Sequence, residues 1–219
     1  ESPLFTWNKP FVQLETTRGC FNTCAFCVSG MGDPIRMLPL YDIRHRLDRI
    51  CERGIRDVRI LDRTFNYHSL HAIALLRLFA EYHPYLRFHL EIHPALLPQS
   101  VREVLAQMPH GLLHLEAGIQ SLHQEVLDKS LRKGMLKQTL DGLRYLCSLP
   151  NLVTHADLIA GGENGVGRNV FEYDRIQIVY SICKLYCCIA KENTLSHPTN
   201  CIFLIALKTF LSPNKDFSV

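Results

Sequence analysis

The chain has 219 residues, of which 47% are hydrophobic and 21% charged, and a formal net charge of +3. This composition is typical of one globular domain with a sizeable core, and the charge is too small to indicate nucleic acid as a partner. The sequence shows no signal peptide and no apolar run near the ~20 residues needed to span a bilayer, so no membrane partner is expected.

Strand-like and helix-like segments alternate along the chain after a linker-like start, residues 1–11. The predicted strands are 12–17, 57–61, 86–92, 112–117 and 153–160, and the predicted helices are 41–53, 68–82, 100–108 and 136–149. Gly54 is expected to end the first helix as its C′ residue. Ser100 is expected to cap the third helix, with Glu103 completing a capping box. The alternation predicts βαβ units and a parallel sheet.

The third and fourth predicted strands each have one apolar and one polar face. Apolar Phe88, Leu90 and Ile92 alternate with His89, Glu91 and His93, and Leu113, Leu115 and Ala117 alternate with His114 and Glu116. Strands covered by helices on both faces would be apolar almost throughout. The pattern alone allows an open doubly wound sheet as well as a barrel, but it favours a partly open barrel with a polar lumen.

A loop after the first strand carries Cys20, Cys24 and Cys27 in the spacing C-x3-C-x2-C, flanked by Gly19 and Gly30. Three thiolates suit an iron–sulfur cluster or zinc. A structural zinc site normally has four ligands, and no second C-x2-C pair or H-x3-H pair lies nearby in the sequence. A 4Fe–4S cluster held by three cysteines leaves one iron open. The sequence therefore favours a cluster, with a non-catalytic zinc- or cluster-binding module as the alternative, and a reducing, cytoplasmic location.

Polar residues also lie toward the carboxyl ends of the later strands, the face of such a barrel on which active sites are found. The candidates are Asp62, Thr64, Glu91, Glu116, Gln120, Asp157 and Gly161. Each has a structural alternative: Asp62 could be a helix N-cap, and the two glutamates could pair with arginines of the barrel. His89, His93 and His114 are candidate acids or bases, or buried structural histidines.

The cysteine loop resembles the signature of the radical S-adenosylmethionine (radical SAM) superfamily, including the aromatic residue, Phe26, before the last cysteine. The resemblance covers residues 12–163 and implies an α/β fold, a partial (βα)6 TIM-like barrel of parallel strands. It implies a 4Fe–4S cluster on the three cysteines and S-adenosylmethionine on the open iron. It further implies an external one-electron donor such as flavodoxin or ferredoxin, and a 5′-deoxyadenosyl radical that abstracts hydrogen from an unknown substrate.

The resemblance also assigns cofactor contacts. Phe26 would lie near the adenine, and Asp62 or Thr64 would replace the Gly-Gly-Glu that usually contacts the amino group of S-adenosylmethionine. The segment 114–121, with Glu116 and Gln120, is similar to the ribose-contacting motif. The segment 157–161 is similar to the adenine-side motif, through Asp157 and Gly161, and Glu91 is a further candidate contact.

Segments 62–66 and 116–121 are most similar to radical SAM proteins that carry a cobalamin-binding domain upstream. The missing initiator Met suggests a fragment, so cobalamin would bind through a missing upstream domain, and methylation or methylthiolation would be plausible outcomes. Residues 164–219 match no part of the family. They are expected to be either a divergent sixth βα unit or aberrant sequence, and aberrant sequence would leave the barrel incomplete at the C-terminus. In the second case the chain would be a truncated, inactive fragment.

Overall fold

The computed structural model describes residues 10–27, 29, 34–158 and 201–204, and of residues 158 and 201–204 the backbone only. The strands are β1 (Phe11–Leu14), β2 (Thr17–Arg18), β3 (Arg36–Met37), β4 (Asp57–Ile60), β5 (Arg87–Ile92), β6 (Leu113–Gln120), β7 (Val153–Leu158) and β8 (Cys201–Leu204). The helices are α1 (Leu40–Glu52), α2 (Ser69–Ala80), α3 (Gln99–Ala106), α4 (Gln124–Lys129) and α5 (Leu136–Ser148). None of these helices is long and apolar enough to cross a bilayer.

The main sheet has six strands in the order β1-β4-β5-β6-β7-β8, and every neighbouring pair is parallel. Helices connect β4 to β5, β5 to β6 and β6 to β7, which is the topology of successive βα units. The prediction of an α/β fold with the parallel sheet of a partial barrel is confirmed. The strand β8 occupies the sixth position beside β7, whereas the rest of the predicted tail lies outside the described residues.

The two faces of the sheet differ as the alternation predicts. In β5 and β6 the apolar residues are buried against the helices, and the intervening histidines and glutamates are only half-buried. Close packing is visible where α5 crosses the chain after β5. A Cβ at Gly142 would lie 1.9 Å from the carbonyl oxygen of Pro94, so only glycine allows this approach.

The helix ends show one correct and one wrong prediction. Gly54 has a φ of 68° after α1, and its N–H and that of Ile55 bond back to Cys51 and Ile50 in a Schellman motif. The Ser100 cap is wrong, because the N-cap of α3 is Pro98 and no side chain caps it. The extended backbone of Pro98 lets the helix begin before Ser100, which therefore lies inside the first turn.

Three further features differ from the prediction. The predicted strand 12–17 divides into β1 and β2, and β2 pairs with β3 in a small antiparallel sheet. The helix α4 was not predicted, and β6 continues to Gln120. Residues 30 and 161, both predicted to matter, lie outside the described residues.

Candidate functional site

Asp62 holds the chain between β1 and the cysteines in place. Its Oδ1 accepts hydrogen bonds from the N–H groups of Thr16 (2.7 Å) and Thr17 (2.9 Å), and its Oδ2 accepts one from the Thr16 hydroxyl. Asp62 is 0% exposed. A buried carboxylate is retained only when its oxygens are hydrogen-bonded, as they are here. Asp62 therefore fixes the position at which the cysteine loop begins.

The cysteine loop, Gly19–Cys27, leaves this fixed point through a glycine with a φ of 103°, a conformation that disfavours other residues. Its three thiols are close enough to affect one another electrostatically. Cys24 is buried, Cys20 half-buried and Cys27 exposed, and all three are free thiols. The N–H of Cys27 bonds to the carbonyl of Cys24 at 3.0 Å, which closes the turn between them. The loop thus carries three free thiols that influence one another electrostatically.

Arg132, which the sequence did not indicate, lies against these thiols. Its guanidinium lies close enough to Cys24 to lower the pKa of that thiol, and its Nη2 donates a hydrogen bond to the Gly118 carbonyl at 2.5 Å. Burial raises the pKa of Cys24, and Arg132 opposes this effect. Burial lowers the pKa of Arg132, while the three cysteines oppose that shift. A guanidinium beside three potential thiolates provides the positive charge that an anionic cluster requires.

The segment 130–133, which carries Arg132, is tied to the cysteine loop by backbone contacts. The N–H of Ala25 bonds to the Ser130 carbonyl at 2.9 Å, and the N–H of Lys133 bonds to Asn22 Oδ1 at 2.9 Å. Asn22 is buried, so its amide is committed to this contact. The segment and the loop therefore form one packed unit around the thiols.

The loops after β4 and β5 complete one side of this unit. Asn66 accepts a bond from the N–H of His93 at 2.8 Å and donates to its carbonyl at 2.9 Å. The buried His93 ring bonds through Nε2 to the Lys133 carbonyl at 3.0 Å. Phe21 stacks on Tyr67 with 4.7 Å between ring centroids. Contacts from two strand ends thus hold the cysteine loop at the carboxyl edge of the sheet.

The end of β6 has an unusual backbone beside Arg132. Gln120 has a φ of 71°, and the register with β7 shifts between Gly118 and Gln120. Such a bulge redirects side chains and occurs often beside functional sites. The Gln120 side chain folds over Gly118, where an added Cβ would lie 2.7 Å from its Nε2. Gln120 is therefore placed near the cysteine loop through its shared neighbour, Arg132.

A second group of polar side chains lies further back on the same polar face of the sheet. This histidine–glutamate cluster consists of His89 on β5, His114 and Glu116 on β6, and His155 on β7. Glu116 Oε2 lies 2.9 Å from His89 Nε2 and 3.5 Å from His155 Nε2, and His114 Nε2 lies 2.8 Å from His155 Nδ1. The cluster is a continuous chain of polar contacts across three strands.

The charges within the cluster shift its pKa values in opposite directions. Hydrogen bonds from His155 and then His89 lower the pKa of Glu116, and the bond to Glu116 raises the pKa of His155. Burial, followed by the neighbouring His155 and His89, lowers the pKa of His114 to about 4. At neutral pH His114 is therefore uncharged and Glu116 is anionic.

The predicted site residues divide between these two groups. Phe26 is half-buried on the cysteine loop, and Thr64, 8% exposed, donates its hydroxyl to the Arg63 carbonyl. Glu91 lies beside Glu116 in the register of β5 and β6, and Asp157 lies near Glu116 on the neighbouring strand β7. The structure does not bring Asp62 or Glu116 into an exposed position beside the thiols.

The Radical SAM superfamily profile matches residues 14–165. A tRNA-2-methylthio-N(6)-dimethylallyladenosine synthase of Herpetosiphon aurantiacus is 28% identical in an alignment 185 residues long that covers 78% of this chain and 41% of the relative. A ribosomal protein uS12 methylthiotransferase RimO of Cereibacter sphaeroides is 23% identical over 69% of this chain and 35% of its own length. The chain thus spans less than half of these relatives.

Solved structures show the same fold. The radical S-adenosylmethionine methyltransferase TsrM from Kitasatospora setae superimposes with a TM-score of 0.63 at 19% identity, covering 80% of this chain and 34% of that one. The cobalamin-dependent enzyme OxsB gives 0.54 at 18% identity, covering 82% and 30%. Because the profile match covers more than half of the sequence, the chain belongs to the radical SAM superfamily, whose members are enzymes that use a 4Fe–4S cluster and S-adenosylmethionine.

Proposed function

We propose that Cys20, Cys24 and Cys27 of this chain bind a 4Fe–4S cluster and that S-adenosylmethionine binds its open iron. The observation that carries the proposal is the presence of three free, electrostatically interacting thiols on one short loop, with the Arg132 guanidinium beside Cys24. Three soft ligands and one adjacent cation fit an anionic cluster better than a closed four-ligand zinc site.

Cys20, Cys24 and Cys27 would hold the cluster, which would supply one electron to the sulfonium of S-adenosylmethionine, so that its C5′–S bond breaks to give methionine and a 5′-deoxyadenosyl radical. The chain's own residues position the partners. Asp62 fixes the start of the cysteine loop, and the Asn22 contact holds segment 130–133 against it. The stacked Phe21 and Tyr67 cover part of the loop with apolar surface, which helps to exclude water.

Among the predicted S-adenosylmethionine contacts, we favour Phe26 and Gln120. Phe26 immediately precedes the exposed ligand Cys27, and Gln120 lies at the strained end of β6. Asp62 and Glu116 are engaged with other protein groups, so we assign Asp62 a positioning role. Thr64, Glu91, Asp157 and Gly161 stay predictions as cofactor contacts.

We further propose that the radical serves methyl or methylthio transfer. The supports are the methylthiotransferases among the relatives and the methyltransferase TsrM among the structural neighbours. An external one-electron donor, such as flavodoxin or ferredoxin, would reduce the cluster in a reducing, cytoplasmic setting. A cobalamin cofactor, if used, would bind through a separate upstream domain; the structural neighbours TsrM and OxsB each bind cobalamin.

Two cysteine variants test the cofactor proposal. The chain is reconstituted anaerobically, and iron, sulfide and dithionite-dependent 5′-deoxyadenosine are measured. Wild type should hold about four irons and release 5′-deoxyadenosine, and Cys27→Ala should lose both properties. Cys51→Ala, a free cysteine on α1, is the matched control and should keep both. A chain that binds zinc in place of iron, or an unimpaired Cys27→Ala variant, would contradict the proposal.

A further inference from the structure

The histidine–glutamate cluster is a second group of metal-ligating side chains, set apart from the cysteine loop along the sheet. Glu116 is the fourth residue of β6, and Gln120, which shares the neighbour Arg132 with the cysteine loop, is the last, four residues further along the strand. The cysteine loop contacts the carboxyl edge of the sheet, whereas the cluster lies part way along the strands. The proposed S-adenosylmethionine site does not use the cluster.

Its geometry is that of a metal site. The potential ligand atoms of His89, Glu116 and His155 all lie within 4.8 Å of one another. Glu116 Oε2 lies 2.9 Å from His89 Nε2 and 3.5 Å from His155 Nε2. Ligands bonded at about 2.0–2.2 Å around one ion are separated by roughly 3.0–3.5 Å when their bonds meet at 90–110°. The side chains therefore need little movement to meet at one ion.

The surroundings of the cluster also suit ligation. A metal-binding imidazole is usually oriented by a hydrogen bond from its other ring nitrogen. His155 Nδ1 has such a contact, 2.8 Å from His114 Nε2. The His155 side chain is only 7% exposed, which limits its alternative positions. Adjacent parallel strands supply the three ligands, so the backbone is rigid.

We propose that His89, Glu116 and His155 bind a divalent transition-metal ion within the barrel, separately from the cluster on the cysteine loop. Two imidazoles and one carboxylate favour Zn²⁺, Fe²⁺ or Co²⁺ over Mg²⁺ or Ca²⁺, which prefer oxygen ligands. Three protein ligands leave at least one coordination position open. That position can take water or an anionic oxygen atom of a substrate.

The test uses the full chain with Cys20, Cys24 and Cys27 replaced by alanine, so its outcome does not depend on the proposed iron–sulfur chemistry. Co²⁺ is titrated into this protein and followed by visible absorption. The expected result is one Co²⁺ per chain with d–d bands and no sulfur-to-cobalt charge transfer. His89→Gln with His155→Gln should weaken binding at least about tenfold. The matched control, His110→Gln with His123→Gln, removes two exposed histidines and should leave binding unchanged.

Two further measurements keep His89 and His155 intact, in the chain with the three cysteine substitutions. They cover the case in which the His89→Gln, His155→Gln variant does not fold. X-ray absorption of the Co²⁺-loaded chain should count two imidazole ligands. Zn²⁺ should raise the temperature of unfolding, and a chelator should reverse the effect. The proposal would be overturned by a Co²⁺ spectrum that shows thiolate ligands only, or by equal Co²⁺ affinity in the test and control variants. It would also be overturned if Zn²⁺ did not raise the temperature of unfolding.

Discussion

Replacing Asp62 by alanine should destabilise the fold strongly, because this carboxylate is a buried acceptor for three donors. The variant leaves the N–H groups of Thr16 and Thr17 without their acceptor, and each unsatisfied buried donor costs about 1–3 kcal/mol. With partial relaxation, we expect a loss of about 3–5 kcal/mol in the free energy of unfolding. Asp62→Asn retains one acceptor oxygen and should cost less, about 1–2 kcal/mol.

The assay is urea unfolding followed by circular dichroism. Asp57→Ala is the matched control, because it removes a nearby carboxylate, at the start of β4, that forms an exposed ion pair with Arg87. That change should cost less than about 1 kcal/mol. An Asp62→Ala chain as stable as the Asp57→Ala chain would refute the reasoning. Normal stability combined with lost S-adenosylmethionine binding would instead make Asp62 a ligand contact.

Three other variants test the site. Arg132→Met should lower the reduction potential of the iron–sulfur cluster by roughly 120 mV, which is about 3 kcal/mol for a charge about 6 Å away at an effective dielectric constant of about 20. The control Lys133→Met removes an exposed charge and should change the potential little. Equal shifts of the two variants in voltammetry would contradict the prediction. Gly118→Ala should displace the Gln120 side chain, because the added Cβ would lie 2.7 Å from its Nε2. The KM for S-adenosylmethionine should then rise several-fold with kcat nearly unchanged. An unchanged KM would exclude Gln120 as a contact. Burial, and then Arg132, lowers the pKa of His93 to about 4, so stability should be complete above pH ~6.5 and decrease as the pH falls toward 4, by up to about 3 kcal/mol. Urea unfolding against pH should show this decrease in wild type and a flatter profile in His93→Gln.

The sheet was predictable because its signals are local. Period-two alternation in β5 and β6 shows which residues face the helices, and it correctly indicated one polar face. The parallel order follows from the alternation of strands and helices. The prediction of a Ser100 cap was wrong because the helix begins directly after Pro98, and a capping motif alone does not exclude an earlier start of the helix.

The surroundings of the thiols were less predictable because they depend on contacts between distant parts of the chain. Arg132 lies in a segment with no periodic pattern, and only the fold places it against Cys24. Similarly, Asp62 and Thr16 are 46 residues apart, so the sequence could show a polar strand end but not its partner. The histidines were visible as a pattern, yet their assembly with Glu116 required the strand register.

The most direct test of the central claim is electron paramagnetic resonance of the anaerobically reconstituted chain, reduced with dithionite, with and without S-adenosylmethionine. The account predicts the signal of a reduced 4Fe–4S cluster that changes when S-adenosylmethionine is added, because the cofactor binds the iron that Cys20, Cys24 and Cys27 leave open. A cluster signal that does not respond to S-adenosylmethionine, or a chain that holds only zinc, would contradict it.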